Sequence, residues 1–328
     1  MSSQKTLPTM KDVAREAGVA LGTVSKVMNG IPVGEPYRQK VEEAAQRLGY
    51  QVNNYARGLK TNKTYSVAFI LPSSIHPFYA SLIQEVYKAL NQRGYRMLLM
   101  ITDFDPAAEQ TCINMIRTNK VDGAIGLTYN PDLVIDADLP YVTIDRYFSA
   151  TVPCVSSDNF GGGRLAAQVL LEKGCKHPAF FRIGSHVPGE ADKRGDGFES
   201  YCRLKGVNYE IMRLYDEEDP TQFDRMFQKH LEEGTPIDGI FCATDRLAWQ
   251  TRKVVEGMGL RVPEDVQIIG FDGIHQFGEL DYYCSTIVQP VEKIAQTCVD
   301  ILLSPSRSEL PATVSLPVSF APGGTTKE

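Results

Sequence analysis

From Tyr65 onward the chain repeats one pattern: a short apolar run, an amphipathic helical segment, then another apolar run. The first round is YSVAFIL (65–71), a helix over about 78–93, RMLLMI (96–101), a helix over 106–118 and GAIGL (123–127). After Gly161 the pattern restarts: the helix GGRLAAQVLLEKG, AFFRI (179–183), a helix over about 192–204, DGIFCA (238–243), a helix ending at Met258, and VQIIGF (266–271). Runs that are apolar at every position belong to strands covered on both faces, and helices between such strands force a parallel sheet. Two rounds predict an α/β body of two doubly wound parallel-sheet subdomains, with a ligand between them at the carboxyl ends of the strands. A last helix over 291–303 and a strand near 314–318 return to one of the halves. The first subdomain is then about 65–160 with 290–320, and the second about 161–289.

The segment before this body obeys a different rule. Residues 9–29, TMKDVAREAGVALGTVSKVMN, carry two short helical stripes around a glycine. Thr9 and Asp12 have the spacing of a capping box, so a helix starts near Met10. Val13, Ala14 and Ala17 form its apolar stripe, Gly18 permits a tight turn, and Val24, Val27 and Met28 form the stripe of the next helix. Faces this small bury each other only at a steep crossing, which leaves Leu21, Gly22, Thr23, Ser25 and Lys26 pointing outward. That is the arrangement of an all-α helix-turn-helix head, although stripes of this kind also occur in any small helical hairpin. A third helix over 36–48, with Pro36 in its first turn and Gly49 at its end, closes the mini-core through Val41, Ala44, Ala45 and Leu48. Residues 51–64 are polar and basic. Tyr55, Ala56 and Leu59 share one helical face, so the segment is either a flexible tether or a hinge helix that forms against a partner. The expected domains are a head over 1–50, a hinge over 51–64 and a body over 65–328.

Charge separates the two readings of the hairpin. Through residue 65 there are ten Lys/Arg against five Asp/Glu, a balance of +5, whereas the whole chain carries −6, leaving −11 for the remainder. A basic head on an acidic body fits a polyanion-binding module. No apolar run is long enough to cross a bilayer, and MSSQKTLPTMK lacks the apolar core of a signal peptide, so a cytoplasmic location with no membrane partner is expected. The seven cysteines have no paired or Cys/His spacing, which argues against a zinc site or disulfide framework. Gly161 to Gly163 lack both the GxGxxG spacing and the Lys-Ser/Thr pair of phosphate loops, and fit close packing where the chain crosses between halves. None of His76, His177, His186, His230 and His275 sits in a nucleophile motif, so neither catalysis nor a metal or other cofactor is expected.

The motifs, in order, are DVAREAGVALGTVSKVMNG in the head, ARGLK in the linker, HPFY (76–79), IDR (144–146), the segment 158–170, KRGDGF (193–198), ATDRLA (243–248), VPEDVQIIGFD (262–272) and QP (289–290). With them the chain resembles, over nearly its whole length, the LacI/GalR (lactose-repressor) family of bacterial transcription regulators, whose body is periplasmic-binding-protein-like. The resemblance implies a repressor that binds near-palindromic double-stranded operator DNA as a homodimer and answers to a small-molecule effector. By position it assigns base reading to Leu21, Gly22 and Lys26, with help from Lys11, and phosphate contacts to Thr23, Ser25, Asn29 and Tyr50. Gly22 has no side chain, so discrimination rests on Lys26 as a donor to guanine and on Leu21 as an apolar contact, unless Leu21 packs within the head. Leu59 matches the minor-groove wedge, Ala56 faces the partner hinge and Lys60 lies alongside. The tail lacks a heptad repeat, which favours a dimer over a tetramer.

For the effector, the resemblance points to Ser74, Phe78, Asp145, Pro188, Glu190, Arg194, Phe241, Thr244, Asp245, Asp272 and Gln289. Arg194 and Asp272 together can clamp adjacent hydroxyls, and Phe78 can cover a sugar face. Structural readings stand beside these: Asp245 as a helix cap, Phe241 as core, Gln289 as the partner of a crossover strand, and Arg194 with Asp272 as an ion pair. Thr244 stands where many relatives carry Asn. Glu190 disfavours phosphate. The expected effector is therefore an uncharged sugar, the alternatives being a phosphorylated partner protein, a sugar phosphate or a purine.

Overall fold

The computed structural model describes residues 8–28, 30–50, 63–118, 120–130, 132–186, 188–276, 281–306 and 310–328. It divides into two compact units, Met1–Thr64 and Tyr65–Glu328.

In the first unit, α1 (Met10–Ala17) is closed by a reciprocal capping box. The Thr9 hydroxyl accepts from the Asp12 amide, and the Asp12 carboxylate accepts from the Thr9 amide at 2.9 Å. Gly18 ends the helix at φ 62°, a left-handed conformation that a side chain would penalise, and so turns the chain into α2 (Leu21–Met28). α3 (Glu35–Leu48) ends at Gly49 in the same conformation. Val13, Ala14, Val24, Val41, Ala44 and Ala45 form the buried centre of this three-helix unit.

The second unit holds two six-stranded sheets. The first contains β1 (Ser66–Leu71), β2 (Arg96–Ile101), β3 (Gly123–Gly126), β4 (Tyr141–Ile144), β5 (Cys154–Ser157) and β11 (Thr313–Leu316), in the order β11-β5-β4-β3-β1-β2, with every pair parallel. Its helices are α4 (Pro77–Gln92), α5 (Pro106–Arg117) and α10 (Val291–Leu303). Alternate residues of β1 feed two cores: Val67, Phe69 and Leu71 pack with α4 and α10, while Ala68 and Ile70 pack with α5. This two-sided burial is why β1 is apolar without alternation.

The second sheet contains β6 (Pro178–Gly184), β7 (Glu210–Tyr215), β8 (Gly239–Cys242), β9 (Gln267–Asp272), β10 (Ser285–Val288) and β12 (Ser319–Ala321), in the order β12-β10-β9-β8-β6-β7, with only β12 antiparallel. Around it lie α6 (Asn159–Glu172), α7 (Lys193–Lys205), α8 (Thr221–Glu232) and α9 (Asp245–Gly257).

The chain passes between the sheets three times: after β5, after β10 and after β11. The third passage corrects a boundary, since the strand expected near 314–318 is two strands. Pro317 follows Leu316 and has no amide to donate, and the chain beyond it joins the second sheet. There Thr325 holds the end in place, its hydroxyl accepting from Ser285 N at 2.8 Å and donating to Ile268 O at 2.6 Å. The first half therefore ends at Leu316 rather than near 320.

At the first passage the glycine run has a steric purpose. A Cβ on Gly163 would lie 1.9 Å from the Arg194 carbonyl oxygen, and one on Gly197 would lie 2.0 Å from the Phe160 carbonyl oxygen. Backbone thus meets backbone between α6 and α7, which brings Asn159 against Arg194.

Candidate functional site

On the head, Lys11 and Lys26 are exposed and Leu21 is 43% exposed, so Leu21 is not part of the mini-core. Gly22 is exposed, and an added Cβ there would meet nothing within 4 Å. Thr23, Ser25 and Tyr50 are half-buried, Tyr50 against the mini-core. Asn29, Ala56, Leu59 and Lys60 lie outside the described residues.

In the body, a cavity of about 660 Å³ lies between the two halves, at the carboxyl ends of both sheets. Arg194, on the first turn of α7, is 4% exposed and fixed from several sides. Its Nε donates to Asn159 Oδ1 at 2.7 Å, an Nη donates to the Ala243 carbonyl at 2.6 Å, and the guanidinium lies 3.6 Å from the centre of the Phe271 ring. Its distance to Asp272 Oδ1 is 3.9 Å, too long for a hydrogen bond. Asp272 is instead held through a relay: Ser157 Oγ donates to Gln289 Oε1 at 2.7 Å, and Gln289 Nε2 donates to Asp272 Oδ1 at 2.8 Å. This relay joins the first two passages between the halves, so the site is tied to the segments that connect them.

Among the described residues, four buried polar atoms on the wall lack a hydrogen-bond partner: His76 Nδ1, Asp145 Oδ1, Arg146 Nη1 and Asp272 Oδ2. Such atoms are costly to leave unpaired, and a bound molecule carrying both donors and acceptors would satisfy them. Both carboxylates also stand on strained backbone, Asp145 at φ 55° and Asp272 at φ 133°. Burial pushes the Asp145 carboxyl up to about 6 and the Asp272 carboxyl up to about 8, with Arg194 opposing the rise in each. Burial, with help from the positive charges of Arg246 and Arg194, pushes the His76 imidazole down to about 4.

Among these groups stands an aromatic cluster of Phe78, Tyr79, Phe104 and Tyr129, with Tyr79 in ring contact with His76 and the Tyr79 and Tyr129 hydroxyls 3.2 Å apart. Formal charges on the lining are even: Asp145, Glu190, Asp216 and Asp272 face Arg146, Arg182, Arg194 and Arg246. Glu190 is not a bare carboxylate, because Lys193 Nζ donates to both of its oxygens at 2.7 and 2.8 Å.

Phe78, Asp145, Pro188, Glu190, Arg194, Thr244, Asp272 and Gln289 all reach the cavity. Three expected residues do not line it. Ser74 is exposed on the loop before α4. Phe241 is fully buried among Phe180, Phe198 and Phe271, because its neighbours Ile240 and Cys242 take the other face of β8. Asp245 is 2% exposed and ties α9 to the sheet, accepting from Ile274 N at 2.7 Å and from Thr286 Oγ1 at 2.6 Å. The cap of α9 is Thr244, whose hydroxyl accepts from Leu247 N at 3.1 Å. Sequence reasoning missed His76, Tyr79, Tyr129, Arg146, Arg182 and Arg246. Several adjoin residues or motifs that were singled out, His76 and Tyr79 within HPFY and Arg246 beside Asp245, and that adjacency was the available signal. A second cavity of about 520 Å³ shares Phe78, Asp272 and Gln289, but its remaining wall is largely the polar faces of α4 and α10.

Comparison with known proteins follows the same division of the chain. Residues 9–53 match the family model for bacterial regulatory proteins of the lacI family, and residues 64–321 match that for periplasmic binding proteins and the sugar binding domain of the LacI family. A sucrose operon repressor of Streptococcus mutans is 33% identical over 320 residues, 96% of this chain and 98% of that protein. A ribose operon repressor of Halalkalibacterium halodurans is 31% identical over 300 residues, 90% of each. Among solved structures, a complex of the transcriptional regulator CelR with cellobiose superposes with a TM-score of 0.66 at 26% identity, covering 97% of this chain and 99% of that one.

Proposed function

The chain belongs to the lacI family of bacterial regulatory proteins, a DNA-binding repressor, and from that premise we propose that its effector is an uncharged sugar bound between the halves of the body. The observation that carries this reading is the cavity lining: carboxyl and guanidinium groups in equal number, unpaired buried donors and acceptors, and an aromatic wall. A polyol offers hydroxyls that donate to carboxylates and accept from arginine and imidazole, and the apolar face of its ring lies against aromatic carbons. A phosphate would have to sit among four carboxyl groups as well as four arginines, whereas neutral hydroxyls pair with Asp272 in either protonation state. The sucrose, ribose and cellobiose named for the relatives are themselves neutral, so the alternatives of a sugar phosphate, a purine or a phosphorylated partner are not favoured.

Sugar binding favours one closure of the two halves, and whichever closure also suits DNA sets operator affinity. The head reads DNA through α2, with Lys26 as the base-edge donor, Leu21 as the apolar contact, and Lys11, Thr23, Ser25 and Tyr50 on phosphates. The chain acts as a homodimer on a near-palindromic site. Its β2 edge offers Leu98, Leu99 and Ile101 at 38%, 39% and 42% exposure, an apolar strand edge that a second copy would cover.

Two measurements test this reading. Calorimetry against neutral mono- and disaccharides, sugar phosphates and purines should give saturable binding only in the first class, and tight binding of a phosphate ligand would overturn the assignment. Selection of DNA from a random pool, repeated with the bound sugar, should return a near-palindrome whose retention changes with sugar. Lys26→Ala should relax the base preference at one position per half-site by about 1–3 kcal/mol.

A further inference from the structure

At the far end of the second sheet from the effector cavity, three side chains from separate elements converge. His177 immediately precedes β6, Glu210 opens β7 and His230 lies in the last turn of α8. β6 runs from this group to Gly184 on the cavity wall, a separation of about 20 Å at roughly 3.3 Å per residue.

The Nε2 atoms of both histidines lie 3.6 Å from Glu210 Oε1, and the three donor atoms all lie within 4.8 Å of one another. The other nitrogen of each ring is anchored by one residue. His177 Nδ1 is 3.0 Å from the Thr235 carbonyl oxygen, and His230 Nδ1 is 3.2 Å from the Thr235 hydroxyl. The backbone before β6 is fixed too, since the Asp238 carboxylate accepts from Lys176 N at 2.7 Å and from His177 N at 2.9 Å.

A carbonyl only accepts, so His177 carries a proton on Nδ1. In the neutral ring its Nε2 is then a bare lone pair aimed at a carboxylate oxygen. In that state two acceptors lie 3.6 Å apart, a gap that a shared cation would bridge. An outer residue that fixes the tautomer and orientation of a metal-binding imidazole is the usual companion of such a site.

We propose that His177, Glu210 and His230 form a binding site for a divalent transition-metal ion of the zinc class. Two imidazole nitrogens and one carboxylate are a donor set that zinc accepts, and hard cations such as Mg2+ and Ca2+ prefer oxygen. Bond lengths of about 2.0–2.2 Å in tetrahedral geometry put neighbouring donors about 3.3–3.6 Å apart, so the two 3.6 Å edges fit with little contraction and the imidazole nitrogens, within 4.8 Å, close on the ion by side-chain rotation. The side chains are 16%, 36% and 13% exposed for His177, Glu210 and His230, which leaves the fourth position open to water. The ion ties α8 to the β6–β7 edge of the sheet. Cysteine and histidine spacing gave no sign of it, because the three ligands come from three separate elements.

The test is titration of metal-free, full-length protein with zinc chloride, by calorimetry and thermal unfolding. One ion per chain is expected, with a rise in melting temperature that follows zinc concentration. His177→Gln and His230→Gln should each weaken binding at least tenfold, and the double variant should lose both the binding and the thermal shift. Cobalt(II) gives an independent readout, with visible absorption that appears with the wild type and not with the double variant. Sugar and operator binding should be unchanged in all variants, which also reports that they fold. Absence of saturable binding, or binding retained in the double variant as thiols would give, overturns the assignment.

Discussion

Asp272 concentrates the chemistry of the cavity in one side chain. It is buried, strained at φ 133°, bonded on one oxygen to Gln289 and unpaired on the other. Its folded carboxyl, at about 8, is raised well above the ordinary value near 3.9. A raised carboxyl contributes stability that is fully present below the unfolded value and lost as pH rises through the folded one, because the folded chain holds a proton that the unfolded chain has released. Asp145, at about 6, adds to the same slope at lower pH, whereas His76, held down at about 4, opposes it below about 6.5. Between pH 6.5 and 8 the Asp272 contribution stands clear of both. Ligand-free protein should lose stability over this window, by at most about 1.4 kcal/mol per pH unit for one proton. Asp272→Asn keeps an acceptor for Gln289 and should flatten that slope in denaturant melts taken at several pH values. It should also weaken sugar binding by up to about tenfold, since the buried carboxyl is largely protonated near neutral pH and one neutral hydrogen bond contributes about 0.5–1.5 kcal/mol. An unchanged slope in the variant would remove Asp272 as its source.

At the scale of elements, two glycines make opposite predictions. Gly22 lies exposed on α2 with open space beside it, so Gly22→Ala should stabilise the head by up to about 1 kcal/mol, measured as a shift of its unfolding transition. Gly163 lies where α6 meets α7, and a Cβ 1.9 Å from the Arg194 carbonyl forces the helices apart. Gly163→Ala should cost about 1–3 kcal/mol and, by moving Arg194 off Asn159 and Ala243, lower sugar affinity as well. The same elements show what could be read in advance. β1 and β2, with α4, α5 and α10, were legible because long apolar or periodic runs declare their period. β4, β5 and β10 are no shorter than β3 and β8, but buried hydroxyl residues, Thr143, Ser156, Ser157, Ser285 and Thr286, break their apolar runs, and the edge strand β7 is only half-buried and carries Arg213 in its middle. The acidic and basic members of the cavity divide in the same way. Arg194 and Asp272 stood in recognisable motifs, whereas Arg182 is enclosed in a core-like strand and Tyr129 lies in an irregular loop, so only the folded chain brings them to the ligand. Phe241 and Asp245 lie off the cavity because adjacent residues on a strand or helix start face different ways, so the structural reading of each fits better than the effector one.

For the whole molecule, the decisive surface is the free edge of the first sheet. β2 ends the order β11-β5-β4-β3-β1-β2, and it is partly exposed along its length. An unpaired edge carrying Leu98, Leu99 and Ile101 would recruit other chains indiscriminately unless a defined partner covered it. In the proposed homodimer, a second copy placed by a two-fold axis would bury the same edge on both chains and bring two heads into one assembly. Two weak half-site contacts then act as one, because the second head binds at the effective concentration set by the first. Leu99→Lys places a charge in that contact and leaves the sheet's own hydrogen bonds intact. The variant should sediment as a monomer, bind a single half-site as well as the wild type does, and lose affinity for the full palindrome by about 100-fold or more. Equal half-site binding shows that the head is folded, so the loss belongs to assembly. A variant that stays dimeric with full palindrome affinity would place the interface elsewhere, and the apolar edge of β2 would then need another partner.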